Sequence, residues 1–341
     1  MSGLKLAKGI KLTIWLVVVI CAMAAWFAVR QVNLLMEPVD PADHSIVELK
    51  IPDSSSTYYI ADILAEKKLI KDERFFVWYC RARKYDAQMK AGLYQFSRSQ
   101  ELQEIIDDLM TGRVATIDIT VPEGYTLKQI GEMMVKEGIC SEKEWTAAIA
   151  HDYDFAAIQH IPKRDNRLEG FLYPDTYRVT KGATPEQVIE LMLKRFETVW
   201  NDRFAKSADH KGLSTYRVVT MASMVEREAM VGTERPRISG VFYNRLKIGM
   251  PLQVDATILY SLGEHKDRVL YKDLEIDSPY NTYKYGGLPL GPIASPGAAS
   301  IEAALNPEHH DYYYYVATGT GAHYFSRTIE EHNRAKAKYI K

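Results

Sequence analysis

Cysteine is scarce. Three residues, Cys21, Cys80 and Cys140, stand far apart in a chain of 341 and form no C-x-x-C pair. That spacing excludes a zinc ribbon or a disulfide framework and leaves at most one Cys80–Cys140 bridge. Net charge is lacking too: 43 Lys+Arg oppose 44 Asp+Glu, for a formal net charge of -1. Binding to a phosphate chain needs a basic excess, so nucleic acid is not expected as a partner. His309, His310, His323 and His332 have no metal-ligand spacing, and no metal site is expected. Gly319-x-Gly321 lacks a following helix and is not a phosphate loop. With no G-x-S-x-G, a serine hydrolase of that type is excluded. Long apolar runs are missing from all but one place. What remains is ordinary globular composition, 47% hydrophobic and 26% charged, with 22 tyrosines against 10 phenylalanines, rings with polar ends that suit a sugar-binding surface.

The one long apolar run is Leu12 to Val29, LTIWLVVVICAMAAWFAV, without a charge. About 18 residues just cross a hydrocarbon core of roughly 30 Å, and Trp15 and Trp26 lie near its ends, where indoles prefer the interface. Lys5, Lys8 and Lys11 precede it; Arg30 and then Glu37, Asp40 and Asp43 follow. The lysine excess predicts a cytoplasmic N-terminus at 1–11, a single transmembrane helix at 12–29 that is retained rather than cleaved, and everything else outside. Residues 30–45, polar with Pro38 and Pro41, read as a linker.

Beyond the linker an internal repeat emerges. Ile51-Pro52-Asp53 matches Val121-Pro122-Glu123 at an offset of 70 residues. The same offset pairs Ser56 with Thr126, Ile60 with Ile130, Asp62 with Glu132 and Phe75 with Trp145. Each copy reads strand, helix, helix, strand, helix, with an alternating first strand and a Ser or Thr helix cap. The fold class is therefore α+β. A first α+β module is predicted at 46–113 and a catalytic domain at 114–341. Within the latter, 114–205 is a candidate second copy and 212–341 the active-site part. Helices are expected at 215–230, 235–247 and 330–339, and a hairpin around Gly319 and Gly321. The stretch from 250 to 300 is irregular, rich in Gly, Pro, Ser, Asn and Tyr, which more often marks a binding surface than a spacer.

Three groups of residues carry candidate chemistry. In MASMVEREAM, Glu226 and Glu228 flank the apolar stripe of the expected helix. A carboxyl so placed is partly desolvated, holds a proton near neutral pH and can serve as a general acid. The bland alternative is a pair of boundary glutamates bonded to Arg227, Arg235 or Arg245, and periodicity does not choose between the two residues. Next come Asn244, Arg245, Gln253, Asp255 and Thr257. Positions 253, 255 and 257 would point the same way along an extended strand, toward sugar hydroxyls or, equally, toward solvent. Last are Tyr280, Asn281, Thr282 and Tyr283, followed by GLPLGPIASPG at 287–297. Prolines and glycines would make this a rigid tyrosine-bearing loop for stacking on pyranose rings, or simply a structural Ω-loop.

These motifs occur in a telling order: VPEG at 121–124, EGFLYPDTY at 169–177, ASMVERE at 222–228, VFYNRLKIGM at 241–250, LQVDAT at 252–257, the YNTY loop, GLPLGPIASPG and HYFSRTIEEHN at 323–333. Together with the N-terminal anchor they resemble the MltG (YceG-like) endolytic murein transglycosylase family over essentially the whole chain. The resemblance implies a lyase that cuts the MurNAc-GlcNAc β-1,4 bond of nascent peptidoglycan glycan strands at the outer face of the cell membrane. It would leave 1,6-anhydroMurNAc ends and so terminate glycan polymerisation, without a metal or organic cofactor. The resemblance also implies a LysM-like character for 46–113, places the catalytic glutamate on Glu228 with Glu226 in support, and suggests peptidoglycan synthases of the penicillin-binding protein class as neighbours. Two other classes stay open: a non-catalytic peptidoglycan-binding scaffold of the wall-synthesis machinery, and a hydrolytic muramidase.

Overall fold

The computed structural model describes residues 2–340 apart from 87, 113, 114, 163, 264, 265, 267 and 268, with the side chains of the first helix from Trp15 onward. Lys5, Lys8 and Lys11, on which the expected orientation rests, have side chains outside that set.

In chain order the elements are α1 (Ser2–Met36), β1 (Ile46–Ile51), α2 (Thr57–Glu66), α3 (Glu73–Ala82), β2 (Gly92–Ser97), α4 (Leu102–Thr111) and β3 (Thr116–Thr120). There follow α5 (Leu127–Lys136), α6 (Glu142–Ala150), α7 (Ala156–Gln159), β4 (Thr176–Thr180), α8 (Pro185–Val199), α9 (Ala205–His210) and α10 (Thr215–Glu228). The last are α11 (Arg235–Lys247), α12 (Asp255–Leu262), α13 (Ala298–Leu305), β5 (Tyr314–Ala317), β6 (His323–Ser326) and α14 (Ile329–Tyr339). The strands form three two-stranded sheets, β1-β2, β3-β4 and β5-β6, so the chain is α+β. It divides into two compact units, Met1–Ile117 with Thr180–Gly182, and Asp118–Val179 with Ala183–Lys341.

In the first unit, α1 is the one described helix long and apolar enough to cross a membrane. Trp15–Met36 has a mean hydropathy of 1.9 and its most apolar stretch is wholly unburied. The helix runs on without a break into the folded part. Lys71 Nζ donates to the Leu34 carbonyl at 2.7 Å and pairs with Glu37 at 3.6 Å. The expected linker is tied down as well: Asp40 N–H donates to the Arg98 carbonyl at 3.0 Å, and Arg98 pairs with Asp43 at 3.0 Å. β1 and β2 pair antiparallel, with Leu49 opposite Tyr94 and Val47 opposite Phe96. Their inward residues close on Ile60, Leu64, Phe76, Cys80, Ile105 and Leu109.

The predicted repeat recurs in the order of elements. Strand β1, helices α2 and α3, strand β2 and helix α4 are matched by β3, α5, α6, β4 and α8, with the single turn α7 added to the second copy. The caps recur too. Ser56 and Thr126 accept the backbone N–H three residues on, as do Asp72 and Ser141 at the second helices. Such caps satisfy backbone donors that a helix start leaves without a partner. Cys80 is buried, Cys140 partly so, and both are free thiols, so the bridge allowed by the sequence is not formed.

The second unit is built around α10. Every residue from Val218 to Val225 is buried, including Thr220 and Ser223. The helix packs against α13 and α11. Ser223 Oγ donates back to the Thr220 carbonyl and accepts the N–H of Ile293 at 3.1 Å. This bond holds the 287–297 segment against the helix.

Candidate active site

Helix α10 ends at Glu228, where Ala229 turns to extended geometry. Residues two positions apart on a helix are rotated by about 200°, so Glu226 and Glu228 look in different directions and meet different neighbours. Glu226 accepts from Arg235 Nη2 at 3.2 Å through Oε1 and from Gly297 N–H at 3.0 Å through Oε2. Its side chain is 6% exposed. Glu123, from VPEG, stands close enough that a Cβ on Gly297 would fall 1.8 Å from its Oε1. Burial first, and then the charge of Glu226, push the Glu123 carboxyl up. Glu226 is therefore the ion-paired boundary glutamate that the sequence allowed for both residues.

Among the described residues Glu228 has no such ion-pair partner. Tyr315 Oη, from β5, donates to its Oε2 at 3.0 Å, and the backbone N–H of Ala256 in the first turn of α12 also reaches it. Burial pushes its carboxyl above the usual carboxylate range; Tyr315 opposes, and Asp255 adds to the rise. Its place at the C-terminal, negative end of α10 acts in the same direction as burial. A desolvated carboxyl that one hydroxyl orients and no ion pair neutralises is equipped to hold a proton and give it up. Tyr315 is itself packed among Phe242, Phe325 and His323. His323 is fixed by Glu234, at 2.8 Å from its Nδ1 and 3.0 Å from its N–H.

The remaining sequence candidates separate into two groups. Asp255 and Tyr283 stand close enough to Glu228 to act on it electrostatically, and Gln253 lies two residues before Asp255 in the chain. Asp255 is exposed and its Oδ1 accepts the Tyr283 hydroxyl at 2.5 Å. Gln253 is exposed and sits in the left-handed region at φ 52°. The expected strand over 253–257 is not there. The left-handed turn at Gln253 breaks the extended path and Asp255 starts α12, so positions 253, 255 and 257 do not share a face. Thr257 is buried and bonds the Val254 carbonyl and Thr282 Oγ1.

The second group is spent on the scaffold. Asn244 donates to the carbonyls of His310 and Tyr312. Arg245 donates to those of Tyr313 and Leu252. Asn281 is buried, donates to the carbonyls of Leu274 and Ile276, and accepts the Tyr283 N–H. Thr282 Oγ1 accepts the Val254 N–H. Tyr280 accepts from Arg164 and its ring lies 4.8 Å from that of Tyr260. The 291–297 stretch is buried rather than presented, with Ser295 N–H bonded to the Tyr125 carbonyl and its own carbonyl to Gly124 N–H. These residues build the wall that carries Asp255 and Tyr283.

Sequence reasoning missed Tyr315 and Glu169. Tyr315 is one of four consecutive tyrosines, and nothing local singles it out. Glu169, 1% exposed, accepts from Leu127 N–H and Tyr260 Oη, both at 3.0 Å. Burial pushes its carboxyl up to about 7 against these two donors.

Comparison with known proteins gives this geometry a setting. The model of the YceG-like family matches residues 49–338. The chain is similar to the endolytic murein transglycosylase of Bacillus subtilis (strain 168), 40% identical over 322 residues, which cover 90% of this chain and 88% of that one. It is also similar to the endolytic murein transglycosylase of Streptococcus pneumoniae serotype 2, 31% identical over 346 residues, or 92% of this chain and 62% of the relative. Among solved structures, the 2.6 Å crystal structure of a putative yceG-like protein from Listeria monocytogenes has a TM-score of 0.59 at 37% identity, covering 85% of this chain and 99% of that one.

Proposed function

The chain belongs to the YceG-like family, and from that premise we propose that it is an endolytic murein transglycosylase acting on peptidoglycan glycan strands, with Glu228 as its general acid and base. The observation that carries the assignment within the site is the contrast between the two glutamates: Glu226 is locked to Arg235 and Gly297, whereas Glu228 is desolvated, oriented by Tyr315 and, among the described residues, without an ion-pair partner.

Glu228 gives its proton to the glycosidic oxygen between MurNAc and GlcNAc as the C1–O bond breaks. The C6 hydroxyl of the same MurNAc then bonds to C1, and its proton passes to the Glu228 carboxylate. The product is a 1,6-anhydro end, and the enzyme returns to its starting state. An intramolecular nucleophile has a high effective molarity, so no second carboxylate is needed to activate it. Gln253, Asp255 and Tyr283 offer polar groups to the sugar beside the reacting bond.

In this reading α1 crosses the cell membrane with residues 1–11 in the cytoplasm. The rest stands on the outer face, where residues 46–113 serve as a LysM-like module and peptidoglycan synthases of the penicillin-binding protein class supply nascent strands.

One observation favours a second reading. Asp255 brings a second carboxylate to Glu228, and a hydrolase uses such a pair to activate water or form a covalent intermediate. Mass spectrometry of released muropeptides separates the two, because a muramidase leaves reducing ends and a transglycosylase anhydro ends. The deciding variants are Glu228→Gln, expected to lose roughly 10⁴-fold or more because one group serves both proton transfers, and Glu226→Gln, expected to lose less. Near-parental anhydromuropeptide yield from Glu228→Gln with loss in Glu226→Gln would move the acid two residues back. Unchanged wall products from both would favour the scaffold.

A further inference from the structure

Asp255 opens α12, and the next residue, Ala256, donates its N–H to Glu228. The Tyr283 hydroxyl pins Asp255 Oδ1 at 2.5 Å. Tyr315 Oη donates to Glu228 Oε2 at 3.0 Å. The groups acting on Glu228 are thus Tyr315 and His323 from the β5–β6 hairpin, Asp255 from α12 and Tyr283 from the loop before 287. Arg245 of α11 acts on the two tyrosines rather than on the carboxyl itself. Among the described residues neither Glu228 nor Asp255 has an ion-pair partner, in contrast to Glu226 with Arg235.

A general acid that must also act as a base needs opposing influences. A neighbouring negative charge disfavours loss of the proton, and a hydrogen bond to the anion favours it. We propose that Asp255, held in place by Tyr283, is the positioning residue for the transferable proton of Glu228, keeping it on the carboxyl until a glycosidic oxygen is there to receive it, while Tyr315 stabilises the carboxylate that must take the C6 hydroxyl proton back. The inference rests on the acid–base reading of Glu228 above. It assigns Asp255 a role through Glu228, not a proton transfer of its own. It also explains why a second carboxylate stands in a site whose proposed chemistry does not consume one.

The test is the pH dependence of kcat/KM for cleavage of uncrosslinked glycan strands by the full-length protein in detergent, which reports groups of the free enzyme. In Asp255→Asn the alkaline limb, where Glu228 loses its proton, moves to lower pH. The ratio of variant to parent then falls at least roughly threefold from the acid to the alkaline side. In Tyr315→Phe the same limb moves to higher pH. Asp255→Ser, with a side-chain oxygen that suits a helix start, repeats the shift if the asparagine variant folds poorly. The parent alone gives a further reading, because Asp255 is exposed and added salt should screen it and move the limb down. An alkaline limb that stays fixed in Asp255→Asn and Asp255→Ser, with activity lowered by one factor at every pH, overturns the proposal and leaves Asp255 as a sugar contact. An active Glu228→Gln enzyme would instead overturn the acid–base reading itself.

Discussion

Replacing Glu169 with Gln raises the stability of the protein at neutral pH and removes a pH dependence that the parent carries. Glu169, the first residue of EGFLYPDTY, is buried, and its carboxyl is pushed up to about 7 from the ordinary 4.5, burial outweighing the Leu127 and Tyr260 donors. Between these two values the folded chain binds more protons than the unfolded one, so stability falls as pH rises. The stabilising share is fully present below about 4.5 and lost by about 7. The interval corresponds to about 3 kcal/mol. Glutamine removes the charge and keeps the bonds: its carbonyl oxygen accepts Leu127 N–H, and its amide donates to a rotated Tyr260 hydroxyl, which also accepts. Urea unfolding of parent and variant, followed by tryptophan fluorescence at intervals from pH 4 to 8, gives the difference directly. The expectation is near-equal stability at the acid end and an advantage for Glu169→Gln that grows to about 3 kcal/mol at the neutral end. Comparing the two proteins cancels the same-signed contributions of Glu123 and Glu228, which burial also pushes up. Parallel curves would refute the reasoning, because a carboxyl already ionised in the fold at pH 5 adds no slope there.

Two further substitutions probe the frame of the site. Glu226→Ala leaves Arg235 without its charged partner in a mostly buried place, and should cost about 3–5 kcal/mol in unfolding experiments, whereas Glu228→Gln, which removes a carboxyl that burial also pushes up, should cost nothing at neutral pH. Gly170 sits at φ 84°, and a Cβ there would lie 2.4 Å from Pro292 Cβ. Gly170→Ala should therefore lower stability by roughly 2 kcal/mol or more in the same assay, from backbone strain and overpacking together.

The elements that sequence reading recovered are those whose causes are local. The N-caps Ser56, Thr126, Ser141, Thr184, Ser214 and Thr328 each sit where a hydroxyl starts a helix. The 70-residue offset aligns two of them without any structural knowledge. The hairpin around Gly319 and Gly321 was legible because β5 and β6 alternate on either side of two glycines. What sequence left open depended on packing. Glu226 and Glu228 lie on the same helix flanked by similar residues. Only the placement of Arg235, nine positions on, and Tyr315, eighty-seven positions on, sets one in an ion pair and the other against a hydroxyl. The alternation Gln253-x-Asp255-x-Thr257 resembled a strand, and no composition rule foretells that Gln253 adopts a left-handed turn. Asn244, Arg245 and Asn281 looked available for sugars because their side chains are polar. In the fold they satisfy backbone carbonyls that loops leave open, a demand that every irregular segment makes and a sequence does not display.

Continuity between α1 and the first unit has a mechanical consequence. With the helix seated in a bilayer and bonded through Leu34 and Glu37 to Lys71, the join is a mast rather than a leash. Elevation and azimuth of the first unit above the lipid are then set by helical arithmetic, about 1.5 Å and 100° for each residue between the span and the bonded end. One residue added after Arg30 would swing that unit to face another quarter while scarcely lifting it. Seven would return it almost to its heading about 10 Å higher. A flexible tether would register neither change, so the spacing between Arg30 and Leu34 becomes a dial on the height at which the first unit stands along the normal to the membrane.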